Sequence, residues 1–224
     1  HRTDGVISTL SYGTGFASAF AYWAAKTKGT KYALPQKSLK LLTDYYLDGI
    51  CASMAFGKFP DAGAKNRDIS RRNTMAAASP GMAEDLLEAS PGYRANELQQ
   101  IINNRKNATV TSGSRDHYFW HSEYYTHQRP GYFASVRMHS SRQNNMEQPH
   151  NEEGLKNHHY GDGSTWITIT GKEFTDIFPA FDFHTRDRYR HAIEDLAKRS
   201  RRQEIEVTKR VVALTKQTAQ AGDD

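Results

Sequence analysis

The spacing of apolar residues changes twice along this 224-residue chain, and that change limits the possible folds more than any other feature. Up to about residue 105 the spacing is helical. In "FASAFAYWAAKTKG", Phe16, Phe20, Trp23 and Ala24 fall at i, i+4, i+7 and i+8, with Gly29 as a stop. "LPQKSLKLLTDYYLDGICASMAFG" repeats the pattern through Leu39, Leu42, Tyr46 and Ile50, predicting helix as far as residue 57. The short "TKGTKYA" link predicts that the two helices pack as an antiparallel pair. "KFPDAGAKNRDISRRNTM" reads as a polar loop. Residues 74 to 105 read as helical again, in "MAEDLLEAS" and "YRANELQQIINNRK", with Pro80 and Pro91 marking the starts.

From about residue 116 the pattern becomes that of strands. "DHYFWHSEYYTHQRPGYFASVRMHSSR" and "STWITITGKEF" are short runs of aromatic and β-branched residues, separated by the polar "QNNMEQPHNEEGLKNHHYGDG". Helices followed by strands predict an α+β fold rather than alternating β/α units. The last zone is charge-dense and helical, with Tyr189, Ile193, Leu196 and Ala197 on one stripe. Ser200 and Gln203 have the spacing of a capping box that opens a second helix. The expected domains are a helical part over 1–110, an antiparallel β part over 111–183 and a charged helical tail over 184–224.

The hydrophobic share is 37%, yet there are twelve Tyr, ten Phe and three Trp. Polar but aromatic-rich chains suit wet grooves, since Tyr and Trp join an apolar body to a polar tip. A net charge of +5 with ten histidines favours an anionic partner without choosing its class. The "KRSRR" run reads as a solvated helix face, so no nucleic-acid partner is expected. No stretch approaches the ~18 apolar residues of a membrane span, and no membrane partner is expected. The single cysteine, Cys51, reads as core. Neither a signal peptide nor an initiator methionine is visible.

Tyr12 stands between a serine and a Gly-Thr-Gly run at the mouth of the first helix. With His1, Arg67, Arg71 and Glu147 it forms the candidate catalytic set. Removing the proton beside a sugar carboxylate requires a base, a group that neutralises the carboxylate, and an acid for the leaving oxygen. A tyrosine next to arginine can serve as base and then as acid. Two rivals are weaker. "HNEEGLKNHHYGDG" offers His150, Glu152, Glu153, His158, His159 and Asp162 but no paired-ligand spacing, so no metal is expected. "YGTGF" before a helix could bind phosphate, but it lacks both nucleotide-loop patterns. No redox or organic cofactor is implied.

These residues, in this order, resemble polysaccharide lyase family 8, the group of chondroitin AC, hyaluronate and xanthan lyases. The resemblance covers residues 1 to about 183. "SYGTGFASAFAYWAAKTKGTKYALPQKSLKLLTDYYLDG" is similar to the family's catalytic-tyrosine turn and following helices, and "NRDISRRN" to its arginine loop, usually GRxxSR. "FWHSEYYTHQRPGYFASVRMHSSR" is similar to the start of its β domain, and "NEEGLKNHHYGDGSTWITITGKEFTDIFPAFDF" to the stretch that follows. The resemblance implies the end of an (α/α) toroid, then the start of an antiparallel β super-sandwich, here with a helical hairpin appended.

It further implies Tyr12 as acid/base, supported by Arg67, Arg71 and Glu147. Arg67, Arg71 and Trp120 are its substrate-binding candidates. The family's histidine falls at Thr3, which leaves His1, two residues further out, for that role. The family's helices bearing an asparagine and a tryptophan-rich patch precede this region and are expected to be absent from the chain. The implied substrate is an acidic polysaccharide such as chondroitin or hyaluronan, met by a secreted or periplasmic protein. "FHTRDRYRHAIEDLAKRSRRQEIEVTKRVVALTKQ" is similar instead to a segment of bacterial cyclic β-1,2-glucan synthases. The alternative reading is a non-catalytic glycan-binding or basic helical interaction protein.

Overall fold

The computed structural model describes residues 5–71, 73–108, 110, 113–144, 163–174 and 183–221. The chain forms two compact units, His1–Ala180 and Phe181–Asp224.

In the first unit a π-helical turn, Thr9–Gly13, runs straight into α1 (Thr14–Thr27). The buried face of α1 is small: Ala17 and Ala21 are fully buried, as are Ala24 and Ala25 nearly so. Phe16 and Trp23, expected on the core stripe, are instead 66% and 62% exposed. Alanines let helices approach closely, and α1 uses that face mainly against α3 (Gly81–Ala89) rather than α2 (Gln36–Asp44). The antiparallel pairing expected of α1 with α2 is therefore a minor contact.

The helix expected to reach residue 57 ends earlier. After α2 the chain widens into a π-helical turn, Tyr45–Ile50, tightens through Cys51–Ser53, and becomes β1 (Met54–Ala55). β1 pairs antiparallel with β2 (Phe59–Pro60), matching Met54 to Pro60 and Ala55 to Phe59. Leu39, Tyr46 and Ile50 are buried as the spacing predicts. The segment read as a polar loop is buried over its first half, from Phe59 through Asn66 except for Pro60. Residues 73–80 are not helical; α3 begins only after Pro80, and α4 spans Ala95–Lys106.

Arg94 holds the helical layer together. It sits at φ +50° and reaches Asp44 (2.9 Å), Asp48 (2.6 Å) and Glu97 (2.7 Å), linking α2, the turn after it and α4.

β3 (Arg115–Phe119), β4 (Tyr124–Arg129), β5 (Tyr132–Arg137) and β6 (Ser164–Thr168) form one antiparallel sheet in that order. Its register matches Tyr118 to Tyr125, Thr126 to Ser135 and Ser135 to Trp166. Buried residues alternate, with Tyr124 and Thr126 on β4 and Phe133, Ser135 and Arg137 on β5, the two-residue period of a sheet with one covered face. Tyr124 shares its apolar cluster with Tyr46, Leu47, Ile50, Leu86 and Leu98, so helices and sheet meet in one core.

Beneath that cluster lies a polar seam. Asp61 Oδ2 accepts from Tyr124 Oη (2.5 Å) and Ser135 Oγ (2.6 Å), and Arg137 Nη1 donates to the Gly63 carbonyl (3.1 Å). Burial pushes the Asp61 carboxyl up to about 6, against these hydrogen bonds, which favour its charged form. Burial likewise pushes the Cys51 thiol up, the environment of a core cysteine.

In the second unit, α5 (Phe183–Ser200) and α6 (Glu204–Ala221) form a helix pair. The expected capping box does not form. Ser200 closes α5, its hydroxyl donating back to the Ala197 carbonyl (3.4 Å), and α6 opens from the Gln203 carbonyl. Ala197 is buried as expected, but Leu196 is half exposed.

Candidate active site

The π-helical turn determines how Tyr12 is presented. Gly13 N–H donates to the Ser8 carbonyl (2.9 Å), and Thr14 Oγ1 donates to the Thr9 carbonyl (2.9 Å). The first is a backbone bond across five residues, a wider turn than an α-helix makes, and the second braces it through a side chain. Thr9 and Leu10 point into the protein, and Tyr12 emerges 60% exposed. Gly13 has an ordinary helical backbone; its lack of a side chain matters for space. A Cβ there would lie 2.1 Å from Tyr45 Oη, so glycine lets the Tyr45 ring slide beneath the turn.

Tyr12 opens on a cleft of about 1750 Å³. One wall is apolar, with Phe16 and Phe20 (ring centroids 4.6 Å apart), Leu41, Leu42 and Tyr45. The other is the 3₁₀ turn Asn66–Ser70 with Arg71 directly after it, which brings Arg67, Asp68 and Arg71 to the rim. Arg67 Nη2 donates to Tyr12 Oη at 2.7 Å. Arg71 pairs with Asp68 at 2.9 Å, which offsets part of its charge and sets its direction. A phenol touching a guanidinium, with a second arginine four residues further on, can accept a proton beside an anionic group and then return it.

The arginine loop is held from behind. Asn66 Nδ2 donates to the Ile7 carbonyl and Asn66 Oδ1 accepts from Arg137 Nη1 at 2.9 Å. Lys65 Nζ donates to the Leu10 carbonyl at 3.4 Å, and burial pushes its ammonium below its ordinary value.

Of the candidates from sequence, Tyr12, Arg67 and Arg71 thus converge on one cleft. Trp120 is exposed on the turn between β3 and β4 and lines a smaller cavity, about 210 Å³, with Ile7 and Thr9. His1 and Glu147 lie outside the described residues, as do His150, Glu152, Glu153, His158, His159 and Asp162. Sequence reasoning missed Tyr45, Asn66 and the exposed Phe16–Phe20 wall. Phe16 and Phe20 carried a signal that pointed the wrong way, since helical apolar spacing marks a core face and a groove face alike.

Comparison with known proteins covers most of this unit. Residues 114–185 match the model for the polysaccharide lyase family 8 super-sandwich domain. Chondroitinase-AC of Pedobacter heparinus is 28% identical over 177 residues, 77% of this chain and 25% of that protein. The chain therefore spans about a quarter of the length of this curated relative. A chondroitinase AC lyase solved in oligosaccharide complexes superposes with a TM-score of 0.69 at 26% identity, over 82% of this chain and 27% of that one. Paenibacillus xanthan lyase shares the fold, with a TM-score of 0.55 at 22% identity, over 76% of this chain and 19% of its own.

Proposed function

We propose, from the premise that this chain carries a segment of polysaccharide lyase family 8, that it cleaves uronic-acid-containing glycosaminoglycans such as chondroitin or hyaluronan by β-elimination, with Tyr12 as acid/base. The observation that carries the reading is the 2.7 Å hydrogen bond from Arg67 to the Tyr12 phenol at the rim of a large cleft.

The steps follow from what these groups can do. The Tyr12 phenolate takes the proton from the ring carbon that bears the uronate carboxylate. The electron pair left there forms the new C=C bond to the neighbouring carbon and expels its glycosidic oxygen. That oxygen takes the proton back from Tyr12, so no net proton is lost and the product ends in an unsaturated uronate. Arg67, one hydrogen bond from the phenolic oxygen, stabilises the negative charge that stands there before the first transfer and again after the second. Arg71 adds positive charge toward the uronate. Glu147 and His1 enter as supporting groups on the family resemblance, and the apolar wall of Phe16 and Phe20 gives sugar rings a face to lie on. On the family resemblance the reading includes a secreted or periplasmic location.

The test is ultraviolet absorbance of the conjugated product, with chondroitin and hyaluronan as substrates. Tyr12→Phe is expected to abolish product formation while glycan binding is retained. An active Phe variant overturns the role given to Tyr12. Binding without elimination by the parent chain favours the non-catalytic glycan-binding reading.

A further inference from the structure

Asn66 is 1% exposed, directly precedes Arg67, and sits at φ +52°, in the left-handed region that asparagine tolerates better than most residues. Its side chain joins three parts of the unit. The amide nitrogen donates to the Ile7 carbonyl, on the segment that rises to Tyr12. The amide oxygen accepts from Arg137, which is fully buried on β5 and also donates to the Gly63 carbonyl. Lys65 adds a second tie, to the Leu10 carbonyl two residues before Tyr12. The phenol and the guanidinium stand on different loops 55 residues apart in sequence, and these ties connect the loops at their bases.

We infer that Asn66 is a positioning residue for the Tyr12–Arg67 pair, setting the phenol–guanidinium distance by tying the arginine loop to the tyrosine segment and anchoring both to β5. The juxtaposition explains why a polar side chain with both a donor and an acceptor is buried where the backbone is left-handed. Glycine would meet the backbone demand, but only asparagine's amide also makes both bonds. The consequence for turnover rests on the lyase reading; the effect on the hydrogen bond does not.

Asn66→Gly keeps the left-handed backbone and removes only the side chain. The readout is the ring ¹³Cζ resonance of Tyr12 at fixed pH, assigned by its loss in Tyr12→Phe. Arg67→Ala gives the resonance position without the Arg67 hydrogen bond. In Asn66→Gly the Tyr12 resonance is expected to move at least halfway to that position, while Tyr32, exposed and remote in sequence, stays fixed. With chondroitin, kcat is expected to fall roughly 10- to 100-fold with a much smaller change in KM, the signature of a misplaced catalytic pair.

A Tyr12 resonance at its parent position, with only a lower melting temperature, makes Asn66 a packing residue and overturns the inference. Should Asn66→Gly not fold, Asn66→Asp keeps the acceptor for Arg137 and loses the donor to Ile7. Its Tyr12 resonance must then move in the same direction, and an unmoved one overturns the inference equally. If the parent chain eliminates neither substrate, the lyase reading falls, and the resonance alone decides the role of Asn66.

Discussion

Asp61 is a carboxyl enclosed by its own hydrogen-bond donors, and its environment makes a prediction about pH. Its folded-state value, about 6, lies above that of an unfolded aspartate, so folding favours the protonated form. Its stabilising contribution is complete below about pH 4 and is lost as pH rises through about 6, a swing of up to about 3 kcal/mol. His117, held below its ordinary value by burial and by the charge of Arg115, against the pull of Asp48, acts in the opposite direction near its own titration. The clean measurement is therefore the difference in unfolding free energy between the parent and Asp61→Asn. That gap should shift in the variant's favour between pH 4 and pH 7, since Asn keeps an acceptor for Tyr124 and Ser135 without the charge. Gly63 packs against the same carboxyl: an added Cβ would lie 2.6 Å from Asp61 Oδ2 and 2.8 Å from Ser135 Oγ. Gly63→Ala is expected to destabilise by about 1–3 kcal/mol in denaturant titrations, as overpacking does.

Among the elements, α1 turns two different faces outward and inward, and they should respond oppositely to substitution. Ala21, fully buried toward the core that includes α3, has no room for a larger side chain. Ala21→Leu is expected to cost about 1–3 kcal/mol by thermal or chemical unfolding, and Trp23→Ala, on the exposed face, to change stability by roughly 0.5 kcal/mol or less. The spacing of Phe16, Phe20 and Trp23 announced the helix correctly and its buried side wrongly. Periodicity locates an apolar stripe but not what covers it, and the alanines facing α3 are too weakly apolar to compete on a hydropathy scale. The sheet was easier to read, because β4 and β5 are short runs rich in aromatic and β-branched residues on either side of the tight Pro130–Gly131 turn. The end of α2 was not, since "CASMAFG" suits helix and strand equally and tertiary pairing with Phe59–Pro60 decides it. Tyr12, Arg67 and Arg71 were legible as residues. Their meeting was legible only through the family resemblance, since the ties behind it, from Asn66, Lys65 and Arg137, carry no pattern in one dimension.

At the scale of the whole molecule, a +5 chain with two arginines at one rim of its cleft should bind a polyanion by a screened attraction. Affinity for chondroitin is expected to weaken several-fold as ionic strength rises from about 0.05 to 0.5 M, over which the Debye length shrinks from roughly 14 to 4 Å. Arg67→Ala and Arg71→Ala should each flatten that dependence, as read by calorimetry or fluorescence titration.

The ties from Lys65 and Asn66 end on the carbonyls of Leu10 and Ile7, not on their side chains. A grip on main-chain oxygen is blind to spelling. Residues 7 and 10 can therefore drift among aliphatic side chains of similar volume, checked only by the core they fill. The approach to the tyrosine can change its side chains without loosening the ties that hold the arginine loop.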